Sequence, residues 1–492
     1  MPNQHEKPQT KKLTFDLSEN INLIRWGTGH SEDIIVRTVS VGSPTLKGAL
    51  IYTDGLTNDH LVQTAVIEPI MRAGSNVLYD YGTLDHIFRA LHETILHMTE
   101  YAYEKEIETI VTALLSGDTV FLLEGLDECS LIASKKWEER GVEEAGTQTV
   151  VRGPKEAFSE SLKSNLALVR RKIKDSDLTV KYHQVGSRTK TKIAIMSIDG
   201  LCDPKILSEI VKRIENINEE SILESGHIEK IIQDEPYTPF PTVYNSERPD
   251  NIAAGLLKGR IAILVDGTPF ALLVPALLDH FFRSMEDDYQ RVDIAFFTRL
   301  IRYIAFILAL LVPSVFIAIT TFHQEMLPTP LLFSLAAQRE GTPFPTIVEA
   351  LAMELTFEIL REAGVRMPRA IGSAISIVGA LVIGQAAVEA GFVSGAMVIV
   401  VALTAISSFV SPSYSMGIAA RLLRFVFMII ASFLGLYGVI LGLILLTLHL
   451  CSLRSYSVPY LQLPTLAKLK LKRKGSSQQG QQKQQPAMEG GS

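Results

Sequence analysis

The sequence predicts an α/β N-terminal region of two related α/β subdomains, followed by an α-helical multi-span membrane domain. Three observations lead to this fold class. A strand-turn-helix pattern occurs twice in the polar first part of the chain, the long apolar runs begin only near Arg302, and a row of glutamates stands directly before two of those runs. At 492 residues the chain can form two or three domains, because single cores stop growing near ~250–300 residues.

Composition narrows the class of function. With 47 Lys and Arg against 53 Asp and Glu, the net charge is −6, and the basic domain or stripe typical of nucleic-acid binding is missing, so no nucleic-acid partner is expected. Cys129, Cys202 and Cys451 are widely spaced and odd in number, which supports neither a disulfide framework nor a Cys-x-x-Cys metal site. The N-terminus has no apolar segment typical of a secretory signal, so an internal span is expected to direct membrane insertion.

Six segments are predicted along the chain. They are a flexible lead-in (1–30), a first α/β subdomain (31–150), a helical linker (151–190), a second α/β subdomain (191–298), a transmembrane domain (299–455) and a basic, disordered tail (456–492).

Two matching motifs predict an internal duplication. Asp54-Gly55 ends the strand Ala49–Thr53, and Asp199-Gly200 ends the strand Ile193–Ile198; a helical pattern follows each turn. The strand-like segments GDTVFLLEG and GRIAILVDG come after the two motifs at similar distances, so one α/β module is repeated. Asp54 and Asp199 could act as carboxylate ligands, but turn formation and helix capping account for both. Four residues are therefore predicted to be structural turn residues: Asp54, Gly55, Asp199 and Gly200.

The linker between the modules is predicted to be an amphipathic helix, Glu156–Lys174. The basic residues of this helix are Arg170, Arg171, Lys172 and Lys174. They could contact a partner or acidic lipid, but a solvated helix face is favoured because short charge runs usually are solvated. Further along, Glu235–Asn251 is rich in proline and aromatic residues and is expected to form an ordered loop.

The apolar part begins with a predicted span at Ile301–Phe322, and Arg299 and Arg302 at its start favour a cytoplasmic location there. Phe425–Leu450 is too long for one upright span and would fit a tilted or a broken one. The basic group Lys468–Gly475 favours a cytoplasmic tail near acidic lipid. With both ends cytoplasmic the number of crossings is even, and four to six spans are expected.

A row of carboxylates is the most unusual feature of the apolar part. In the predicted helix Thr346–Ala363, Glu354, Glu358 and Glu362 follow at intervals of four residues and share one face. One interpretation is a pore-facing or gating stripe that attracts cations, since charges inside membranes often mark ion pathways. The alternative is an interfacial helix whose acids meet water or pair with nearby arginines, which are Arg361, Arg366 and Arg369.

The next predicted span, Ala370–Phe392, carries small residues at intervals of three and four, which allow close helix contact. The candidate packing residues are Gly372, Ser376, Gly379 and Gly384.

Signatures of catalysis are missing from the sequence. No GxxxxGK[ST] phosphate loop occurs, and His92-Glu93 is followed by His97 at a spacing that does not place both imidazoles on one helix face. We therefore expect no enzymatic activity, no cofactor and no metal site.

Several motifs together resemble the A subunit of GerA-type spore germination receptors: DGL after a strand, QTVVRGPKEAF, PFPT and, above all, EALAMELTFEILREAGVRMPRAIGSAISIVGALVIGQAAVEAGFVS. The resemblance covers roughly Asp33 to Pro464. It implies a cytoplasmic N-terminal region of two α/β subdomains and a multi-span region in the spore inner membrane.

The resemblance also implies partners and a role. The partners would be a B subunit, which is transporter-like and thought to sense the nutrient, a lipoprotein C subunit, further copies of the chain, and membrane lipid. The role would be an oligomeric ion channel or signal-transducing core that triggers germination. A non-conducting scaffold, or a paralogue linked to dipicolinic-acid release, is the alternative.

Overall fold

The computed structural model describes residues 12–41, 46–69, 84–90, 100–136, 145–146, 148, 150, 152–366 and 384–462. Internal contacts divide the chain into two units. The α/β unit comprises Met1–Gln233 and Val243–Pro275, and the helical unit comprises Asp234–Thr242 and Ala276–Ser492. The helical unit thus takes in a short loop from the middle of the second subdomain.

The first module of the α/β unit is a five-stranded antiparallel sheet in the order β1-β2-β4-β5-β3. Its second strand, β2, is apolar on both faces because both faces are covered by helices. Ala49 and Ile51 face a core formed with α1 and α4, whereas Leu50 faces a core formed with a π-helix and α3. The elements are α1 (Leu17–Gly27), β1 (Ile34–Val41), β2 (Leu46–Thr53), α2 (Asp59–Leu61), the π-helix (Val62–Ile67), α3 (Leu84–Ala90), β3 (Tyr101–Glu104), α4 (Ile107–Leu115), β4 (Thr119–Leu123) and β5 (Cys129–Ile132).

The second module repeats this architecture, with an antiparallel sheet in the order β6-β7-β9-β10-β8. The order corresponds strand for strand to the first sheet, as the paired Asp-Gly-Leu motifs predict. The elements are α5 (Leu162–Lys172), β6 (Leu178–Val185), β7 (Thr191–Ile198), α6 (Pro204–Glu215), α7 (Ser225–Ile232), β8 (Tyr244–Ser246), α8 (Pro249–Leu256), β9 (Ile261–Val265) and β10 (Ala271–Val274).

The predicted turn residues have the same backbone role in both modules. The Asp54 amide donates to the Asp33 carbonyl and the Asp199 amide to the Asp177 carbonyl, each at 2.8 Å. The glycines that follow both have positive φ, 85° at Gly55 and 79° at Gly200, where a side chain would be strained.

A second repeated feature, an asparagine that bonds to the backbone of the preceding loop, was not predicted from the sequence. Asn20 Nδ2 donates to the Thr14 carbonyl at 2.6 Å while its Oδ1 accepts from the Thr14 amide at 2.7 Å. Asn165 makes the same pair of bonds with Ser159, at 2.6 and 2.8 Å. Each asparagine closes the loop in front of the first helix of its module, so the duplication extends upstream of the Asp-Gly-Leu motifs.

Helix α5 differs from the predicted linker helix in two ways. It begins at Leu162 rather than Glu156, because Ser161 is its N-cap and its Oγ accepts from the Ser164 amide at 3.4 Å. The expectation of a solvated basic face is wrong for Arg170, whose side chain is 1% exposed. Arg171 is exposed as expected.

The helical unit is built around two long helices, α10 and α15, which pack along each other with a core that includes Leu310, Ala318, Phe427 and Val439. A second core joins α10 to α12, α14 and α15 through Ile317, Ala350, Met397 and Met428. The elements are α9 (Glu286–Tyr289), α10 (Val292–Phe322), α11 (Thr329–Glu340), α12 (Thr346–Arg366), α13 (Gly384–Glu389), α14 (Gly395–Phe409), α15 (Tyr414–Ser452) and the short strands β11 (Arg454–Ser455) and β12 (Val458–Pro459).

Two helices of the described residues, α10 and α15, are long and apolar enough to cross a membrane. Helix α10 begins at Val292, earlier than the predicted span, and Arg302 within it pairs with Asp287 at 2.6 Å. Helix α15 is interrupted at Gly435, where φ is 60° and ψ is −145°. A Cβ at Gly435 would lie 2.8 Å from His323 Cε1, so the end of α10 packs directly on this break.

Three of the four candidate packing residues, Gly372, Ser376 and Gly379, lie outside the described residues, as does most of the predicted span Ala370–Phe392. The basic group Lys468–Gly475 also lies outside them. Gly384 is described: it is buried at the start of α13, and a Cβ there would lie 3.5 Å from Val398 Cγ1 of α14.

Candidate functional site

Among the described residues of the helical unit, five charged residues from two helices lie together, and we name them the carboxylate–arginine cluster. Helix α12 contributes three of them and α15 two. Spacings of three and four residues put side chains on one face of a helix, so the acids of α12 face the arginines of α15. The members are Glu354, Glu358, Arg361, Arg421 and Arg424.

The cluster is built on three ion-pair contacts. Arg424 Nη1 lies 2.5 Å from Glu354 Oε2, and Arg421 Nη1 lies 2.8 Å from Glu358 Oε2. Arg424 Nη2 also reaches Glu358 Oε1 at 3.3 Å. The Glu354 and Arg424 side chains are 0% and 1% exposed, so their charges are withdrawn from solvent and depend on each other.

Arg361 extends the cluster to a third helix. Its Nη1 donates to Ser408 Oγ at 3.1 Å, and its guanidinium carbon lies 4.9 Å from the centre of the Phe409 ring. Both partners lie near the end of α14. The cluster therefore joins α12 to α14 as well as to α15.

The ion-paired members of the cluster are at most 20% exposed, but they are incompletely hydrogen-bonded. Glu354 Oε1, Arg421 Nε and Arg424 Nε are buried without a hydrogen-bond partner among the described residues. Two carboxylates face three guanidinium groups, so one positive charge is not matched within the cluster. Because a buried charge that loses its partner is costly, this arrangement opposes separation of α12 from α15.

Glu362, the last member of the predicted carboxylate row, lies outside the cluster. It pairs with Arg366 on its own helix at 2.7 Å, and its side chain is 62% exposed. That contact corresponds to the local-pairing alternative considered from the sequence. The row thus comprises one buried acid, Glu354, one partly buried acid, Glu358, and one exposed acid, Glu362, and neither interpretation named Arg421 or Arg424 as partners.

A fourth acid, Glu349, bonds the beginning of α12 to the beginning of α14. Its Oε1 accepts from Ser394 Oγ at 2.6 Å and from the Ser394 backbone amide. Ser394 is also the N-cap of α14, where unpaired backbone amides favour a negative charge. Helix α12 is therefore tied to α14 near both of its ends.

In the α/β unit, an arginine that the sequence interpretation placed on a solvated helix face joins the two modules. Arg170 of α5 donates from Nε and Nη2 to both carboxylate oxygens of Asp33, at 2.8 and 2.9 Å. Its Nη2 also reaches Ser31 Oγ at 2.9 Å, and that hydroxyl accepts from the Val180 amide of β6 at 2.8 Å. The bidentate geometry and the burial of both partners fix one module against the other.

The two predicted turns have different surroundings. Asp54 pairs with Lys163 of α5 at 2.6 Å, and a Cβ at Gly55 would lie 2.7 Å from the Lys163 carbonyl oxygen. At Gly200 no heavy atom of the described residues comes within 4 Å of the Cβ position. The first turn thus contacts the second module, whereas Gly200 has open space beside it.

Comparisons with known proteins agree with the resemblance noted in the sequence. The model of the Bacillus/Clostridium GerA spore germination protein family matches residues 22–476. Spore germination protein KA of Bacillus subtilis (strain 168) is 47% identical over 459 residues, which are 93% of this chain and 83% of that protein. Uncharacterized membrane protein YfkQ of the same strain is 40% identical over 456 residues, 93% of this chain and 87% of that one.

A solved structure is also similar in sequence. The crystal structure of the N-terminal domain of the A subunit of the Bacillus megaterium spore germinant receptor GerK3 is 36% identical, with a TM-score of 0.43, and the match covers 55% of this chain and 99% of that chain. The family model alone spans most of the sequence. The chain therefore belongs to the Bacillus/Clostridium GerA spore germination protein family.

Proposed function

We propose that this protein is a membrane subunit of a nutrient-responsive spore germination receptor and forms an oligomeric, ion-conducting core of it. Family membership and the two long apolar helices support this proposal. In this role the protein has no catalytic activity and no cofactor. Its partners are a transporter-like B subunit and a lipoprotein C subunit, and it resides in the spore inner membrane with its α/β unit in the cytoplasm.

The single observation that carries the mechanism is the burial of Glu354 against Arg424. In hydrocarbon or in a packed interior, the two charges can separate only if each gains a new partner or water. The carboxylate–arginine cluster therefore acts as the gate: paired, it holds α12 on α15 in the resting arrangement, and conduction requires the helices to rearrange.

Glu362 has a different role in this proposal. Its exposed carboxylate lies two helical turns beyond Glu354 on α12, and in an oligomer equivalent residues of several copies can surround one axis. A ring of carboxylates attracts cations, so Glu362 contributes to ion selectivity while Glu354 and Glu358 control opening.

Flux measurements in liposomes test this assignment. The purified protein, with its B and C subunits, is placed in vesicles loaded with a potassium indicator, and nutrients are added outside. We expect monovalent cation flux after nutrient addition, altered selectivity for Glu362→Gln, and flux without nutrient for Glu354→Gln.

Absence of ion flux would reject the channel function. If no nutrient and no variant produces flux while the same preparation restores germination in spores, the protein is not a channel. The scaffold that couples a receptor partner to release proteins, or the paralogue associated with dipicolinic-acid release, is then the correct function. A monomer in mild detergent would also exclude the ring.

A further inference from the structure

The chain turns back after its last long helix and forms a partly buried hairpin, which we name the return hairpin (Leu453–Tyr460). Strands β11 and β12 pair in it, and the Tyr460 amide donates to the Leu453 carbonyl at 3.0 Å. Its turn residues Tyr456 and Ser457 have φ of 50° and 66°, a conformation that two-residue hairpins need but that non-glycine residues adopt at a cost. The surrounding contacts must therefore stabilise this turn.

The return hairpin binds the loop Asp234–Thr242 of the helical unit. Ser455 Oγ donates to the Thr242 carbonyl at 2.8 Å, and the Tyr460 hydroxyl donates to the Pro241 carbonyl at 2.9 Å. The Asp234 carboxylate accepts from the Tyr456 amide. This loop is part of the proline- and aromatic-rich segment that the sequence singled out without a role.

The return hairpin also binds the segment that begins at Ala276. The Ala276 amide donates to Ser455 Oγ at 3.1 Å, and the Leu278 amide donates to the Tyr460 carbonyl at 3.1 Å. Ser455 and Tyr460 are both 0% exposed. The one hydroxyl of Ser455 thus accepts from one segment and donates to the other, so this single atom bridges the two segments.

These two segments contain every point at which the chain passes from one unit to the other. The chain enters the helical unit at Asp234, leaves it after Thr242 and enters it again at Ala276. The hairpin itself continues directly from α15. Each of these points thus lies in or next to a segment that is bonded to the hairpin at the end of α15, the helix that carries Arg421 and Arg424.

Helix α15 is packed against neighbouring residues on both sides of its interruption at Gly435. At Gly435 the backbone packs against Phe322 and His323 so closely that a Cβ on this glycine would lie 3.1 Å from Phe322 Cβ. Core residues of α15 lie on both sides of the break. The break is therefore packed against the end of α10, and this packing restricts bending of α15 at Gly435.

We propose that the return hairpin is an intramolecular coupling element that transmits a conformational change of the α/β unit to α15 and hence to the carboxylate–arginine cluster. Ser455 and Tyr460 are its positioning residues. As a regulatory device it rests on the proposed function, but the mechanical link itself can be measured without any ion flux.

The first test is hydrogen exchange of the full-length protein in lipid nanodiscs without nutrient. Ser455→Ala removes both bridging bonds, and Tyr460→Phe removes the bond to Pro241 while keeping the ring. We expect amide exchange around Arg421 and Arg424 to rise at least fivefold in both variants. The matched control is Ser452→Ala, whose exposed hydroxyl donates to the His449 carbonyl of the same helix and whose exchange should equal that of the wild type.

The outcome that overturns the proposal is exchange that increases only in the hairpin and its two partner segments, since this is what a purely local structural role produces. A parallel measurement in the liposome assay should show that Ser455→Ala raises the nutrient concentration for half-maximal flux at least fivefold, within the usual range of coupling between sites. If the wild type shows no flux at all, the channel function fails, while the exchange result still decides the coupling.

Discussion

Replacing Glu354 with glutamine tests whether the carboxylate–arginine cluster holds the helical unit together. The substitution keeps the size and shape of the side chain and removes one charge. Within the cluster Arg424, 1% exposed, then has a charged partner only at the longer distance of 3.3 Å, in Glu358. The matched control is Glu362→Gln on the same helix, where the ion pair with Arg366 is largely exposed.

The expected magnitudes differ because the burial differs. Breaking a buried ion pair by removing one partner costs about 3–5 kcal/mol, and the remaining contact to Glu358 places Glu354→Gln at the lower end, about 3 kcal/mol. At roughly 2–4 °C per kcal/mol for a unit of this size, the melting temperature should fall by about 6–12 °C. Exposed pairs contribute about 0–1 kcal/mol, so Glu362→Gln should shift it by at most about 4 °C.

The assay is thermal unfolding of the purified full-length protein in mild detergent, followed by the loss of monodisperse protein. A third variant, Glu354→Gln with Arg424→Met, removes the leftover charge as well and should recover most of the lost stability. Equal shifts for Glu354→Gln and Glu362→Gln, or a double variant less stable than the single one, would refute the reasoning.

Three further variants test the rest of the structure. Arg170→Met should destabilise the α/β unit by about 3–5 kcal/mol because it leaves the buried Asp33 carboxylate without its arginine. Substitution of the exposed neighbour, Arg171→Met, should change the stability by no more than about 0.5 kcal/mol. Proteolysis rates of the full-length protein measure both effects, and equal rates would contradict a stabilising Arg170–Asp33 ion pair. Gly435→Ala should lower the melting temperature through positive φ and a clash, at about 1–3 kcal/mol, while Gly417→Ala in the same helix, with open space beside it, should not lower it. Burial raises the pKa of Glu229 above its ordinary value of 4.5, so the contribution of Glu229 to stability falls as pH rises from the ordinary to the raised pKa. Glu229→Gln should therefore stabilise the protein at pH 7 and not at pH 4. An equal gain in stability at both pH values would exclude burial of the charged carboxylate as the cause.

The repeated α/β architecture and the long apolar helices could be predicted from local patterns. The two Asp-Gly-Leu motifs indicated a duplication because a positive-φ glycine after a strand is a backbone requirement that depends on only a few residues. The apolar runs predicted α10 and α15 because length and composition suffice for that inference. In the same way, the four-residue spacing placed Glu354 and Glu358 on one face of α12.

The partners of those residues could not be predicted. Glu358 bonds to Arg421, 63 residues away, and Glu354 to Arg424, 70 residues away. Arg170 reaches Asp33 across 137 residues. An arginine in a basic run and an arginine in a buried ion pair have the same local sequence signal, and only the packing around them determines which one is solvated.

For this protein, then, periodicity and turn chemistry by themselves determined the kinds of elements, their order and the face of α12 on which the acids lie. The tertiary structure alone decided which acids are buried, which arginines neutralise them, where α15 breaks, and that the return hairpin binds two distant segments. The physical reason is range: backbone conformation and helix faces depend on residues a few positions apart, whereas desolvation and charge pairing depend on which surfaces meet in space.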